Sequence, residues 1–293
     1  MDPWRDVERS IRAASGASFA VESSSPVGGG CINECHVIRG HGQAYFVKLN
    51  TPDRAGMFVA EAAGLDEIGK TRTVLVPRTI CHGVGPAASW IVLEHLELRC
   101  ANDSSMRELG RKLASMHRAT APQHGWALDN TIGATPQLNT PADGWPLFWR
   151  ERRLGFQLRL AVSNGYGGRL IETGNRLMEK LSAFFAGYHP APSLLHGDLW
   201  AGNAAATAGG EPVVFDPAVY YGDRETDLAM TELFGGFPPA FYEAYRAGYP
   251  LDTGYAMRKD LYNLYHVLNH LNLFGGGYRA QAERMIGQLL ARV

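Results

Sequence analysis

Apolar residues along this chain change their spacing once. Up to about residue 98 they alternate or cluster briefly between turns, the pattern of strands. "ECHVIRG" (34–40) and "AYFVKLN" (44–50) flank the turn "HGQ", and "VPRTICHGV" (76–84) and "ASWIVLEHLEL" (88–98) follow as two more strands. Residues 3–15 predict a short helix, and "SFAVESSSPVGGG" (18–30) a strand running into a glycine turn. Between the strand pairs, Phe58, Ala62 and Leu65 fall at helical spacing in 55–69. The expected product is a small antiparallel sheet with one helix packed on it.

Beyond Leu98 the period becomes helical. In 102–119, Met106, Leu109, Leu113 and Met116 share one face, and Ser105 followed by Glu108 predicts a capping box. Stretches 145–162, 168–188 and 257–274 also read as helices, while "TIGATPQLNTPADGW" (131–145) has the turn formers of a loop. The composition shift places a boundary near residue 99, dividing the chain into 1–98 and 99–293.

The 293 residues suit one two-part domain or two modest ones. With 28 basic and 29 acidic residues the net charge is −1, so nothing marks a nucleic-acid binder or a polybasic membrane binder. No apolar run reaches the roughly 18 residues of a membrane helix, and the charged N-terminus lacks a secretory pattern. A soluble, cytoplasmic protein is expected. Cys31, Cys35, Cys81 and Cys100 form no C-x-x-C pair and no disulfide framework.

Five features carry chemistry. Gly28, Gly29 and Gly30 would let backbone N–H groups approach phosphates closely, although a plain turn uses glycines too. Lys48, set between Val47 and Leu49 on an apolar strand, calls for a partner for its ammonium. Glu61 on the next helix could supply it, with Glu67 the alternative. In "LLHGDLWAGN" (194–203), Asp198 and Asn203 reproduce the D-x-x-x-x-N spacing of a kinase catalytic loop. Asp198 would accept or orient a hydroxyl proton, Asn203 would hold Mg²⁺, and His196 would organise the loop. Asp216, at the end of the apolar strand "VVF", stands where kinases chelate Mg²⁺ on ATP phosphates. Asp227 reads as a structural support beneath the loop, ion-paired with Arg224. The backbone from Glu94 to Leu96 would meet the adenine edge. A protein kinase's long activation segment and A-P-E anchor are missing, so the acceptor is expected to be small, or a small modification on something larger.

"HGDLWAGN", "FDPAVYYGDRETDLAM", "ELFGGF", "DNTIGATPQLN" and "FWRERRL" resemble the fructosamine kinase (ketosamine-3-kinase) family, relatives of the aminoglycoside phosphotransferases and choline kinases. The resemblance runs from the glycine turn to "HLNLFGGGY" near 278. It implies an α+β, bilobal protein-kinase-like fold, with a nucleotide-binding sheet half and a helical catalytic half. It implies ATP- and Mg²⁺-dependent phosphorylation of the 3-hydroxyl of ketosamines, on small amines or protein lysines, leading to deglycation. By motif match Asp198 is the base, Asn203 and Asp216 are metal ligands, and Lys48 with Glu61 is the phosphate-positioning pair; Trp200 would wall the sugar pocket. Other readings are an aminoglycoside or small-alcohol phosphotransferase, or an inactive nucleotide-binding regulator. Monomer and homodimer stay open. Cys31, inside the glycine turn, is a candidate redox switch. His266 and His270 are expected to be packing or surface histidines, and "RERRL" a solvated helix face.

Overall fold

The computed structural model describes residues 2–16, 18–28 and 32–293. Gly29, Gly30 and Cys31 therefore lie outside the described residues, and with them two of the three glycines expected to approach phosphates and the candidate redox switch.

Helix α1 (Trp4–Ser15) precedes strands β1 (Ser23–Val27), β2 (Glu34–Gly40) and β3 (Gln43–Asn50); helix α2 (Ala55–Lys70), β4 (Thr79–Val84) and β5 (Ser89–Glu94) follow. The strands form one antiparallel sheet in the order β1-β2-β3-β5-β4. Both faces of its centre are covered, which explains the near-continuous apolar run of β5. Val47, Trp90 and Val92 pack with Val7 and Ile11 of α1. Ile91 and Leu93 point the other way, against Phe58, Leu65 and Ile68 of α2. Alternation along β3 sends Lys48 to the α2 face. Burying each of these large side chains contributes about 1.5–3 kcal/mol, so α2 is held by packing.

The chain then leaves the sheet. Strand β6 (Leu98–Arg99) pairs with β10 (Ala204–Thr207), which also pairs with β11 (Pro212–Val214). Helix α3 (Asp103–Met116) buries Met106, Leu109, Leu113 and Met116 as expected. Its capping box lies one turn earlier than Ser105/Glu108 suggests: Asn102 accepts from the Ser105 N–H, and Ser105 Oγ accepts from the Asn102 N–H. Glu108 instead faces solvent beside Arg111. Residues 131–145 hold more than a loop, since β7 (Asn130–Ile132) and β8 (Thr135–Gln137) form a short hairpin.

Helices α4 (Trp145–Phe148) and α5 (Gly155–Ser163) are joined by a π-helical turn over Trp149–Leu154. "RERRL" is not the solvated face expected of it. Arg153 is fully buried, its guanidinium 4.0 Å from the centre of the Tyr220 ring and bonded to the Leu138 carbonyl and Asn139 Oδ1. After α6 (Arg169–Lys180), β9 (Ser193–Leu195) pairs with β12 (Tyr220–Gly222). Helices α7 (Glu225–Leu233), α8 (Pro239–Gly248), α9 (Tyr255–Phe274) and α10 (Arg279–Leu290) complete the helical half. No described helix is long and apolar enough to cross a membrane.

Candidate active site

Lys48 Nζ lies 2.6 Å from Glu61 Oε1 and 2.5 Å from Asp216 Oδ1, so residues far apart in sequence meet around one ammonium. Burial opposes the charge on Lys48, but Asp216 and Glu61 together outweigh it and hold its pKa above the ordinary lysine value. Burial pushes the Glu61 carboxyl up, against the pull of Lys48. Asp216 adopts a left-handed backbone (φ 57°), uncommon for a residue with a side chain and typical of functional turns. Glu67, the alternative partner for Lys48, binds Tyr221 and Lys70 instead.

The loop after β9 is tied down by its own polar groups. His196 Nε2–H donates to the Phe215 carbonyl, leaving Nδ1 to accept from the Asp198 N–H. Asp227 accepts the His196 and Gly197 N–H groups, one on each carboxylate oxygen, at 2.7 and 2.8 Å. Its side-chain partner is His117, not the expected Arg224: His117 Nε2 lies 3.1 Å away and donates, while His117 Nδ1 accepts from Tyr245. Arg224 reaches Tyr245 and the carbonyls of Tyr249 and Pro250. Burial alone would raise Asp227; the hydrogen bond from His117, helped by the Gly197 N–H, brings it below the usual carboxylate range. Gly197 (φ 84°) must be glycine, because a Cβ there would sit 2.0 Å from the Ala218 oxygen.

Asn203 Nδ2 donates to the Asp198 carbonyl and to Asp198 Oδ2, fixing the carboxylate's direction and leaving Asn203 Oδ1 unspent. Burial first, and then the neighbouring Asp216 charge, push Asp198 up to about 7. A carboxylate with that affinity for protons is suited to taking one from a hydroxyl.

Lys48, Glu61, Asp198, Asn203 and Asp216 line one cavity of about 480 Å³ between the sheet and the helices. Trp200, Phe234, His270, Phe274 and Tyr278 also line it, His270 packing against Phe234, Phe274 and Tyr278. Cys35 borders the same cavity, paired in register with Lys48. His266 borders it too and is no surface group. Gly28 and the Glu94–Leu96 segment do not line it; the Glu94 carboxylate accepts the Arg78 N–H. What sequence reading missed was the polar frame around Asn130, Gln137 and Asn139, which holds the carbonyls of Ala218 and Val219 just beyond Asp216. The "TPQLN" string was its only visible signal.

Two contacts fix α2, and hence Glu61. Gly64 lies so close to Val219 that a Cβ there would be 3.1 Å from its Cγ2. Tyr221 Oη donates to Glu67 Oε1 at 2.7 Å across 154 residues of sequence. Tyr221→Phe removes that bond, worth about 0.5–1.5 kcal/mol, and is expected to speed amide exchange within α2 about 2- to 10-fold, as read by hydrogen–deuterium exchange. Unchanged α2 exchange would show that packing alone holds the helix.

Residues 3–292 match the fructosamine kinase family. A chain named probable ketoamine kinase in Synechocystis sp. is 48% identical over 289 residues, covering 98% of this chain and 97% of that one. The chloroplastic protein-ribulosamine 3-kinase of Arabidopsis thaliana is 41% identical, covering 94% of this chain and 85% of that one. A crystal structure from Haemophilus somnus, provisionally named a fructosamine-3-kinase, superposes with a TM-score of 0.91 at 30% identity, over 98% of this chain and 97% of that one. With identity spread over almost its whole length and the same bilobal fold, this chain belongs to the fructosamine kinase family.

Proposed function

We propose that this chain transfers the γ-phosphoryl group of ATP to the 3-hydroxyl of a ketosamine, a sugar joined to an amine by glycation. The observation that carries this reading is the meeting of the Lys48–Glu61 pair with Asp198, Asn203 and Asp216 in one cavity, in a chain whose relatives are named for this activity. Asp198 takes the hydroxyl proton as the oxygen bonds to phosphorus; the bond to the bridging oxygen breaks, and ADP leaves with the electron pair. Lys48, oriented by Glu61, neutralises phosphate charge. In this reading the adenine edge meets the backbone between Glu94 and Leu96, and the phosphates lie along Gly28–Gly30.

The donors fit magnesium. Asn203 Oδ1 is unspent, Asp216 offers a half-exposed carboxylate, and Mg²⁺ usually takes one or two protein oxygens besides phosphate and water. Bound there, Mg²⁺ would supply charge neutralisation between the phosphates. The 3-phosphate is a far better leaving group than hydroxide. Its elimination, followed by hydrolysis, would free the amine, which is deglycation.

Incubating the chain with ATP and either ribulose-lysine, fructose-lysine or an aminoglycoside panel, followed by ³¹P NMR, tests the reading. A ketosamine phosphate is expected. Transfer to aminoglycosides alone would overturn it. Within this reading Trp200 walls the acceptor side. Trp200→Ala is expected to raise the ketosamine KM at least about tenfold, the worth of roughly 1.4 kcal/mol of ring contact, while the ATP KM stays put; an unchanged ketosamine KM rejects that role.

A further inference from the structure

Helix α9 presents two histidines to the cavity, and they differ in what is left for a ligand. His270 has its Nδ1–H committed to the His266 carbonyl at 2.8 Å, and its ring is packed among Phe234, Phe274 and Tyr278. His266 is 4% exposed and borders the cavity. Its one ring contact is with Tyr265, edge-on, and neither of its ring nitrogens has a hydrogen-bond partner among the described residues. Burial, then the neighbouring His270, lower its pKa to about 3, so the ring is neutral and carries one N–H donor and one lone pair.

The surroundings narrow the ligand. Nearby amides are already spent: Asn269 Nδ2 donates to the Ile132 carbonyl and its Oδ1 accepts from Gln157, while Asn130 serves the 218–219 frame. Among the described residues, the only charged ones bordering the cavity are Lys48, Glu61, Asp198 and Asp216, all in the cluster assigned above to phosphoryl transfer. A neutral ring brings no net charge to balance a carboxylate or an ammonium. It suits a hydroxyl, which both donates and accepts.

Resting on the function proposed above, we infer that His266 binds a hydroxyl of the ketosamine's sugar other than the one phosphorylated, and so helps decide which sugars the enzyme takes. His266 then acts on acceptor binding and leaves the nucleotide side untouched.

The test compares wild type, His266→Phe (similar volume, no hydrogen bonds) and His266→Asn with fructose-lysine and its 4-, 5- and 6-deoxy analogues, measuring ADP release. His266→Phe is expected to raise the fructose-lysine KM about 10- to 100-fold, with the ATP KM within about twofold of wild type. One deoxy analogue should cost wild type a similar factor and cost His266→Phe almost nothing more, the non-additivity of groups in contact. His266→Asn, which keeps a donor and an acceptor, should recover part of the loss and provides the comparison if the Phe variant does not fold. An unchanged fructose-lysine KM, or an equal penalty with every analogue, overturns the inference and leaves His266 a packing residue. A wild-type chain that phosphorylates no ketosamine overturns the functional reading and this inference together.

Discussion

Asp198→Asn is expected to lower kcat by about 10²- to 10⁴-fold, the usual contribution of a positioned proton acceptor, with little change in the KM for ATP. The amide keeps the shape of the carboxylate and its contact with Asn203, but cannot accept the hydroxyl proton. Stability should move the opposite way. The Asp198 pKa stands at about 7 in the fold, pushed there by burial and by Asp216, against about 4 in an unfolded chain. An acid raised in this way weakens the fold once ionised. The penalty is absent near pH 4 and fully present above about pH 7. In metal-free protein the variant should therefore melt at least about 2 °C above wild type at pH 8 and level with it near pH 4. An inactive variant that melts lower at pH 8 would mean that activity was lost through unfolding, and would remove the evidence for a proton-accepting role.

Asp227→Asn is expected to do the reverse, costing stability first. Both Asp227 oxygens accept backbone N–H groups, from His196 and Gly197, and one also accepts from His117. An amide has a single acceptor oxygen, so its NH₂ must face a donor. Disrupting so buried a charged network costs about 3–5 kcal/mol, or a midpoint roughly 10 °C lower. Because the carboxyl's pKa is depressed in the fold, its stabilisation is fully present above the ordinary value of about 4 and is lost as pH falls through the lower folded value. Thermal melts from pH 2 to 7 check both effects: wild type should lose stability at the acid end, and the variant should lose less. A variant matching wild type across that range would assign the loop's geometry to Gly197 and the His196 ring alone.

The grouping of Asp198, Asn203 and Asp216 was legible in sequence because it depends on short spacings. Asp198 and Asn203 are held by one loop, and Asp216 lies two residues beyond a three-residue strand whose apolar run is plain. Lys48 stood out as a charge amid apolar neighbours, and strand alternation sets its direction. Partners chosen in three dimensions were less legible. Arg224 is the nearest base to Asp227 in sequence, yet the fold brings in His117, 110 residues away. Asn102–Ser105 and Ser105–Glu108 are both capping patterns, and packing of the α3 face selects the first. The π-helical turn carries Arg153 of "RERRL" out of solvent and onto aromatic rings. Strands as short as β7 and β8 leave almost no periodicity to read.

The seating of α2 bears on how the activity could be controlled. Many kinases are silenced by swinging the equivalent helix outward, which parts the lysine from its glutamate. With Gly64 against Val219 and Glu67 held by Tyr221, that lever is bolted down. Throughput would then follow how many copies the cell makes and how much substrate reaches them.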